Sequence, residues 1–246
     1  APSSGDTLQI SAGANVSILG AGMGKTVIRS AGGGNAAISV TGASTDVALG
    51  NLTVDGNSSG EFGIEIVGTS QRVQIERVEC NGTSGAGNPD CIKIGDGAAD
   101  VQKVQVLNSW VHDWDNDGTG ISVRRGTDVE IGGNVLDGGG AGESGEAAIS
   151  ESAFQTKIHH NTIRGNFTYG ISGFRGFENQ FFSNEIIETG MSMLRGIGLD
   201  EEYAPSVRQN TIRGVQQSIS SEVSPYTAIE GNTIIRSREK AIYLFG

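Results

Sequence analysis

The sequence predicts an all-β fold, a right-handed parallel β-helix (a solenoid) of about ten coils running through residues 1–246 as one domain. Three observations carry that prediction. Gly is abundant, with 39 residues, while Pro is rare, with 4, and no collagen period accompanies the Gly. Apolar runs are only four to six residues long and end at Gly, Asn, Asp or Ser, which is the pattern of short strands between turns. Finally, two residue types mark equivalent points of successive repeats.

The first marker is an isoleucine inside a short apolar strand, at Ile38, Ile64, Ile92, Ile121, Ile149, Ile171, Ile197, Ile219 and Ile242. The spacings are 26, 28, 29, 28, 22, 26, 22 and 23 residues. An irregular period with fixed markers is what stacked coils with loops of variable length produce. A propeller would instead repeat every 40–45 residues or so with four strands per blade.

The second marker is an asparagine at Asn51, Asn108, Asn134, Asn161, Asn184, Asn210 and Asn232, interrupted only in the coil of Arg77. A recurrent amide at one bend predicts a ladder in which each side chain bonds its neighbours above and below. At one strand spacing of roughly 4.8 Å per coil, the rod is on the order of 45 Å long.

Composition narrows the partners. Lys plus Arg total 17 against 28 Asp plus Glu, a formal charge of −11, so the basic footprint of a nucleic-acid binder is absent. No apolar stretch approaches bilayer length, and no membrane partner is expected. A polyanionic polysaccharide would need a local basic patch or a bound cation to offset the overall field.

The first coil, DTLQISAGANVSILGAGMGKTVIRS, has no amphipathic helix before it, and AIYLFG at 241–246 stops within a strand. Solenoid ends need polar caps. Flanking domains of a longer chain, or a partner subunit in an oligomer, are therefore expected over the ends. Cys80 and Cys91 bracket NGTSGAGNPD, rich in turn formers. They read either as a disulfide worth about 2–3 kcal/mol or as two small apolar residues of successive coils.

Four segments, LGAGMGKTVIRS (19–30), NLTVDGN (51–57), VQIERVE (73–79) and VHDWDNDG (111–118), occur in an order that resembles the catalytic module of mannuronan C5-epimerases. The resemblance implies a carbohydrate-active superfamily of β-helices that binds its polymer along one sheet. The epimerase motif Tyr-Gly-Phe-Asp-Pro-His aligns with Ala86-Gly87-Asn88-Pro89-Asp90-Cys91. The Tyr and His that transfer protons at the sugar C5 are thus replaced by Ala86 and Cys91, and Asp90 is displaced by one position. Epimerisation needs two positioned groups of suitable pKa. Ordinary epimerase activity is not expected.

Strand alternation puts the marker Ile inward and the residues one and three positions later outward. One outward row then reads Glu65, Lys93, Ser122, Ser150, Ser172, Gly198, Ser220, Tyr243. The other reads Val67, Gly95, Arg124, Ser152, Phe174, Asp200, Glu222. Small residues flanked by aromatic and charged ones suit a floor for a sugar chain, with Phe174 and Tyr243 placed to stack on pyranose rings.

Asp200 and Glu222 share one outward position on adjacent coils, which fits the carboxylate pair of a retaining glycosidase. Lys93, Arg124 and Arg125 are candidates to neutralise a uronate, with Lys93 or Arg124 as the base of a lyase. Arg175, beside Phe174, joins the expected substrate contacts, as do Asp90 and His112.

Asp113, Asp115 and Asp117 with Gly118 form D-x-D-x-D-G, the opening half of a calcium loop. Arg124 stands where an EF-hand has its bidentate Glu, so that motif is excluded.

Two functional classes follow: a secreted polysaccharide hydrolase or lyase, and a non-catalytic carbohydrate-binding or structural module such as a spike, an adhesin or a degenerate epimerase-like domain. An extracellular location suits either.

Overall fold

The computed structural model describes residues 6–31, 36–58, 61–84, 89–96, 99–114, 118–138, 146–190 and 193–246. Among these there is no helix. Ten strands, from Leu8–Ser11 to Lys240–Phe245, pair in chain order to form one sheet, sheet A. The remaining seventeen strands form sheet B, which wraps the other sides of the coil. Every pairing is parallel, as when each coil lies on the one before it.

The marker isoleucines are direct partners from coil to coil, for example Ile149↔Ile171 and Ile197↔Ile219. From Ile38 to Ile219 they are fully buried, meeting Val73, Val104, Ile131 and Ile158 of sheet B in a single core. Burial of this continuous column drives the stacking, because no coil can cover its own apolar face.

The asparagine series divides in two. Asn134, Asn161, Asn184, Asn210 and Asn232 form the predicted ladder. Each of the first four Nδ2 groups donates to the next Oδ1 at 3.0 Å, and all five donate to a core carbonyl, as Asn161 does to Ile131 at 3.0 Å. Each Oδ1 also accepts the backbone N–H of the preceding coil.

Asn51 and Asn108 do not belong to that ladder. They stand one position earlier, at a corner with φ of 54° and 50°, in register with Arg77 at 55°. That corner demands left-handed backbone, which Asn tolerates best among residues with a Cβ. Ser109 occupies the ladder position instead, its N–H bonded to the Asn134 side chain.

Cys80 and Cys91 are free thiols buried side by side in the core, with the Cys80 S–H donating to the Cys91 carbonyl at 3.1 Å. Burial pushes the Cys80 thiol well above its ordinary pKa.

Candidate functional site

Both outward rows of sheet A are present as registered columns, through Glu65↔Lys93, Lys93↔Ser122, Ser172↔Gly198 and Ser220↔Tyr243 in one and Phe174↔Asp200↔Glu222 in the other. A third outward column lies two residues before each marker, where simple alternation would put it inward. The reason is the residue just before the marker, which also faces the core. A Cβ added at Gly63 would lie 2.4 Å from the Cys80 sulfur, and one at Gly196 2.7 Å from Ile212 Cγ2. Two adjacent inward positions reverse the alternation, and Phe62, Asp90, Tyr169 and Arg195 turn to the outer side of the sheet, where neighbouring side chains still bury Phe62 and Asp90.

This third column reorganises the expected site. Asp200 and Glu222 are direct partners on adjacent strands, as expected, and both are half-buried. Arg195 grips Glu222, with Nη2 2.5 Å from Oε1. The Arg195 guanidinium also lies 5.5 Å from the centre of the Tyr169 ring. Sequence reasoning missed Arg195 because its position was assigned to the core.

Asp90 is buried rather than presented to solvent. Its carboxylate accepts from the Ser122 hydroxyl at 2.5 Å, the Thr119 N–H at 3.1 Å and Arg124 Nη2 at 3.1 Å. Burial raises its pKa, against the lowering effect of those donors and of the Arg124 charge.

Lys93 pairs with Glu65 at 2.8 Å and lies 4.2 Å over the Phe62 ring. Lys93 and Arg124 therefore both enter ion pairs across coils. Phe174 is exposed, with Arg175 above its ring at 4.5 Å and paired in turn with Glu201 at 2.5 Å. Arg125 pairs with Asp100 at an exposed corner, and Tyr243 lies under Lys240 on the final strand of the sheet.

His112 belongs to sheet B, away from these columns. It bridges Glu79 at 3.2 Å and Asp113 at 2.7 Å and stacks on Trp110. Of the acidic triplet, Asp113 is described, whereas Asp115 and Asp117 lie outside the described residues. Among the described residues, no three His, Cys, Asp or Glu side chains converge as metal ligands.

One buried group was not anticipated. Glu151 and Glu202 are both fully buried, and the Asn179 side chain donates to Glu151 Oε1 at 2.7 Å and to Glu202 Oε2 at 3.0 Å.

A parallel solenoid with one continuous apolar column and a charged outer sheet is the class of protein these features define. The chain belongs to the right handed beta helix region family, whose profile matches residues 90–246. No curated protein sequence matches it.

Among solved structures, it is similar to the mannuronan C-5 epimerase AlgE6 A-module of Azotobacter vinelandii at 16% identity and a TM-score of 0.50, covering 97% of this chain and 87% of that one. It is similar to PfbA, a surface adhesin of Streptococcus pneumoniae, at 16% identity and a TM-score of 0.67, covering 96% and 61%. DFA-IIIase from Arthrobacter chlorophenolicus A6 matches at 11% identity and a TM-score of 0.61, covering 84% and 49%. The chain thus spans only about half to three-fifths of the last two proteins. At these identities the likeness establishes the fold, and function rests on the site.

Proposed function

We propose that this chain is a polysaccharide-active β-helix protein of the extracellular space that lays a sugar chain across sheet A, with Asp200 and Glu222 as the reacting carboxylates. The observation that carries this reading is the direct pairing of the two residues on neighbouring strands, beside Arg195. Strands about 4.8 Å apart bring such side chains near the 5–5.5 Å or so of a retaining glycosidase pair.

In that reaction Glu222, oriented by Arg195, attacks the anomeric carbon. Asp200 protonates the departing glycosidic oxygen and then takes a proton from the water that releases the sugar. Lys93 and Arg124, tied to Glu65 and Asp90, are less suited to serve as a lyase base. The similar structures include proteins named as epimerases, an adhesin and DFA-IIIase, which supports a carbohydrate partner and an extracellular setting. A calcium ion held by Asp113, Asp115 and Asp117 is part of the same proposal.

A second reading, carbohydrate binding without turnover, is favoured by Ala86 and Cys91, which stand where the epimerases have proton-transfer groups.

Incubation with a panel of soluble polysaccharides, assayed for reducing ends and for absorbance of unsaturated uronates, separates the readings. Reducing ends alone, lost in Glu222→Gln and Asp200→Asn while binding persists, are the expected result. Turnover that ignores both substitutions overturns the assignment. Unsaturated products lost on Lys93→Ala move it to a lyase, and binding without products establishes the module.

A further inference from the structure

A second face of the solenoid, on sheet B, carries a groove that the proposed reaction does not use. Strands Lys157–His159, Gln180–Phe182 and Ser206–Arg208 stack there in register. Lys157, Gln180 and Ser206 form one outward column. Two residues earlier, Gln155, Glu178 and Ala204 occupy left-handed corners with φ of 57°, 55° and 52°. Between the two columns lies an open groove of about 460 Å³. It continues through Asp128 and Lys157 into a second hollow of about 350 Å³ that reaches Arg72.

Exposed rings immediately precede the lining residues Gln155, Glu178 and Ala204 on successive coils. Phe154, Phe177 and Tyr203 are 45%, 37% and 43% exposed and are bridged to one another in parallel register. Phe177 and Tyr203 stack with ring centres 5.1 Å apart. Two residues beyond the lining residues Gln180 and Lys157, Phe182 stacks on His159 at 4.9 Å and lies 5.0 Å under the guanidinium of Arg208, itself a lining residue.

The groove therefore offers planar amides, two cations and two carboxylates, with aromatic rings at neighbouring chain positions on either side. That combination matches a sugar, whose hydroxyls need paired donors and acceptors and whose C–H edges need apolar surface. In the larger hollow, Lys157 and Arg208 balance Asp128 and Glu178 in formal charge. Neither a polyanion nor a polycation gains from such a field, whereas an uncharged chain loses nothing. The coil repeat of roughly 4.8 Å is also close to the length of one hexose unit along a glycan.

We propose that this face is a second carbohydrate-binding groove, taking an uncharged oligosaccharide that runs along the solenoid axis with one sugar per coil. The site is on sheet B and stands or falls independently of turnover on sheet A.

The test is a 1H–15N NMR titration of the whole chain with cellohexaose, xylohexaose and galactohexaose, and in parallel with hexamannuronate and hexagalacturonate. At least one neutral hexasaccharide is expected to shift the amides around Gln155, Lys157 and Gln180, with an affinity unchanged in about 0.5 M salt. Gln180→Ala, at a half-buried outward position, and Lys157→Ala, at an exposed one, should each leave the spectrum folded and weaken that binding about tenfold. Any turnover on sheet A should be unaffected by Gln180→Ala. Shifts confined to sheet A, no shift with any neutral chain, or binding restricted to the acidic chains and abolished by salt would each overturn the proposal.

Discussion

Glu151 and Glu202 lie two coils apart inside the core and are joined through Asn179, whose Nδ2 donates to Glu151 Oε1 at 2.7 Å and to Glu202 Oε2 at 3.0 Å. They meet because the inward position between them is Gly173, whose absent Cβ would lie 3.2 Å from Glu202 Oε1. The Gly176 N–H also donates to Glu202 at 2.9 Å, and the Ala153 N–H donates to Glu151 at 3.1 Å. Two buried carboxyls held on one amide resist ionising together, since no opposing charge offsets the pair, and the pair is expected to keep a proton between them.

Burial is the first cause that raises both pKa values, and for Glu151 the charge of Glu202 adds to it. A carboxyl whose folded pKa is raised contributes its full stability below the unfolded value of about 4.3. That contribution is lost as pH rises through the folded pKa. Melting temperature should therefore fall as pH rises from about 4.5 towards neutrality, with a slope of up to about 1.4 kcal/mol per pH unit for one proton. Glu202→Gln supplies a neutral partner and should flatten the profile. An unchanged slope in that variant would refute proton sharing.

Asn161 holds the centre of the amide ladder, while Asn108 occupies a left-handed corner. Asn161→Ala should cost about 1–3 kcal/mol, because it strips the buried Asn134 N–H and Nδ2 of their acceptor. Asn108→Gly, at φ 50°, should stay within about 0.5 kcal/mol of the parent. Urea melts compare the two directly, and equal losses would contradict the division of the series.

Arg195 is a positioning residue for Glu222. If sheet A hydrolyses a glycan, Arg195→Met should lower kcat by about 10²-fold or more with a smaller effect on KM. Arg195→Lys should recover part of it, since the charge returns without the guanidinium geometry. Equal changes in kcat and KM across both variants would assign Arg195 to substrate binding instead.

Calcium, if bound at Asp113, Asp115 and Asp117, should raise the melting temperature in proportion to the logarithm of its concentration above Kd. Asp113→Ala with Asp115→Ala should abolish that rise. Identical melting of the parent chain in calcium and in chelator would remove the site.

Much of this fold was legible before any coordinates. The marker isoleucines, the outward columns of Lys93 and of Asp200 with Glu222, and the ladder from Asn134 to Asn232 follow from a period that repeats once per coil. Side-chain direction along a parallel strand is local, and registered stacking propagates it from coil to coil. The tertiary structure decided where that rule fails. Core residues just before the marker, Gly196 in one coil and Cys91 in another, let two neighbouring positions face inward, which moved Arg195 out to Glu222 and drew the Asp90 carboxylate to Ser122 and Arg124.

Glu151 already stands at an inward position in the sequence, but its partner comes from the loop side of a coil two turns away. The exposed rings of Phe154, Phe177 and Tyr203 likewise align with one another only because loops of different length close at the same corner. Sequence periodicity reports which way a strand residue points. Contacts between coils depend on how much chain each loop consumes before the next strand begins, and that length leaves no periodic signal.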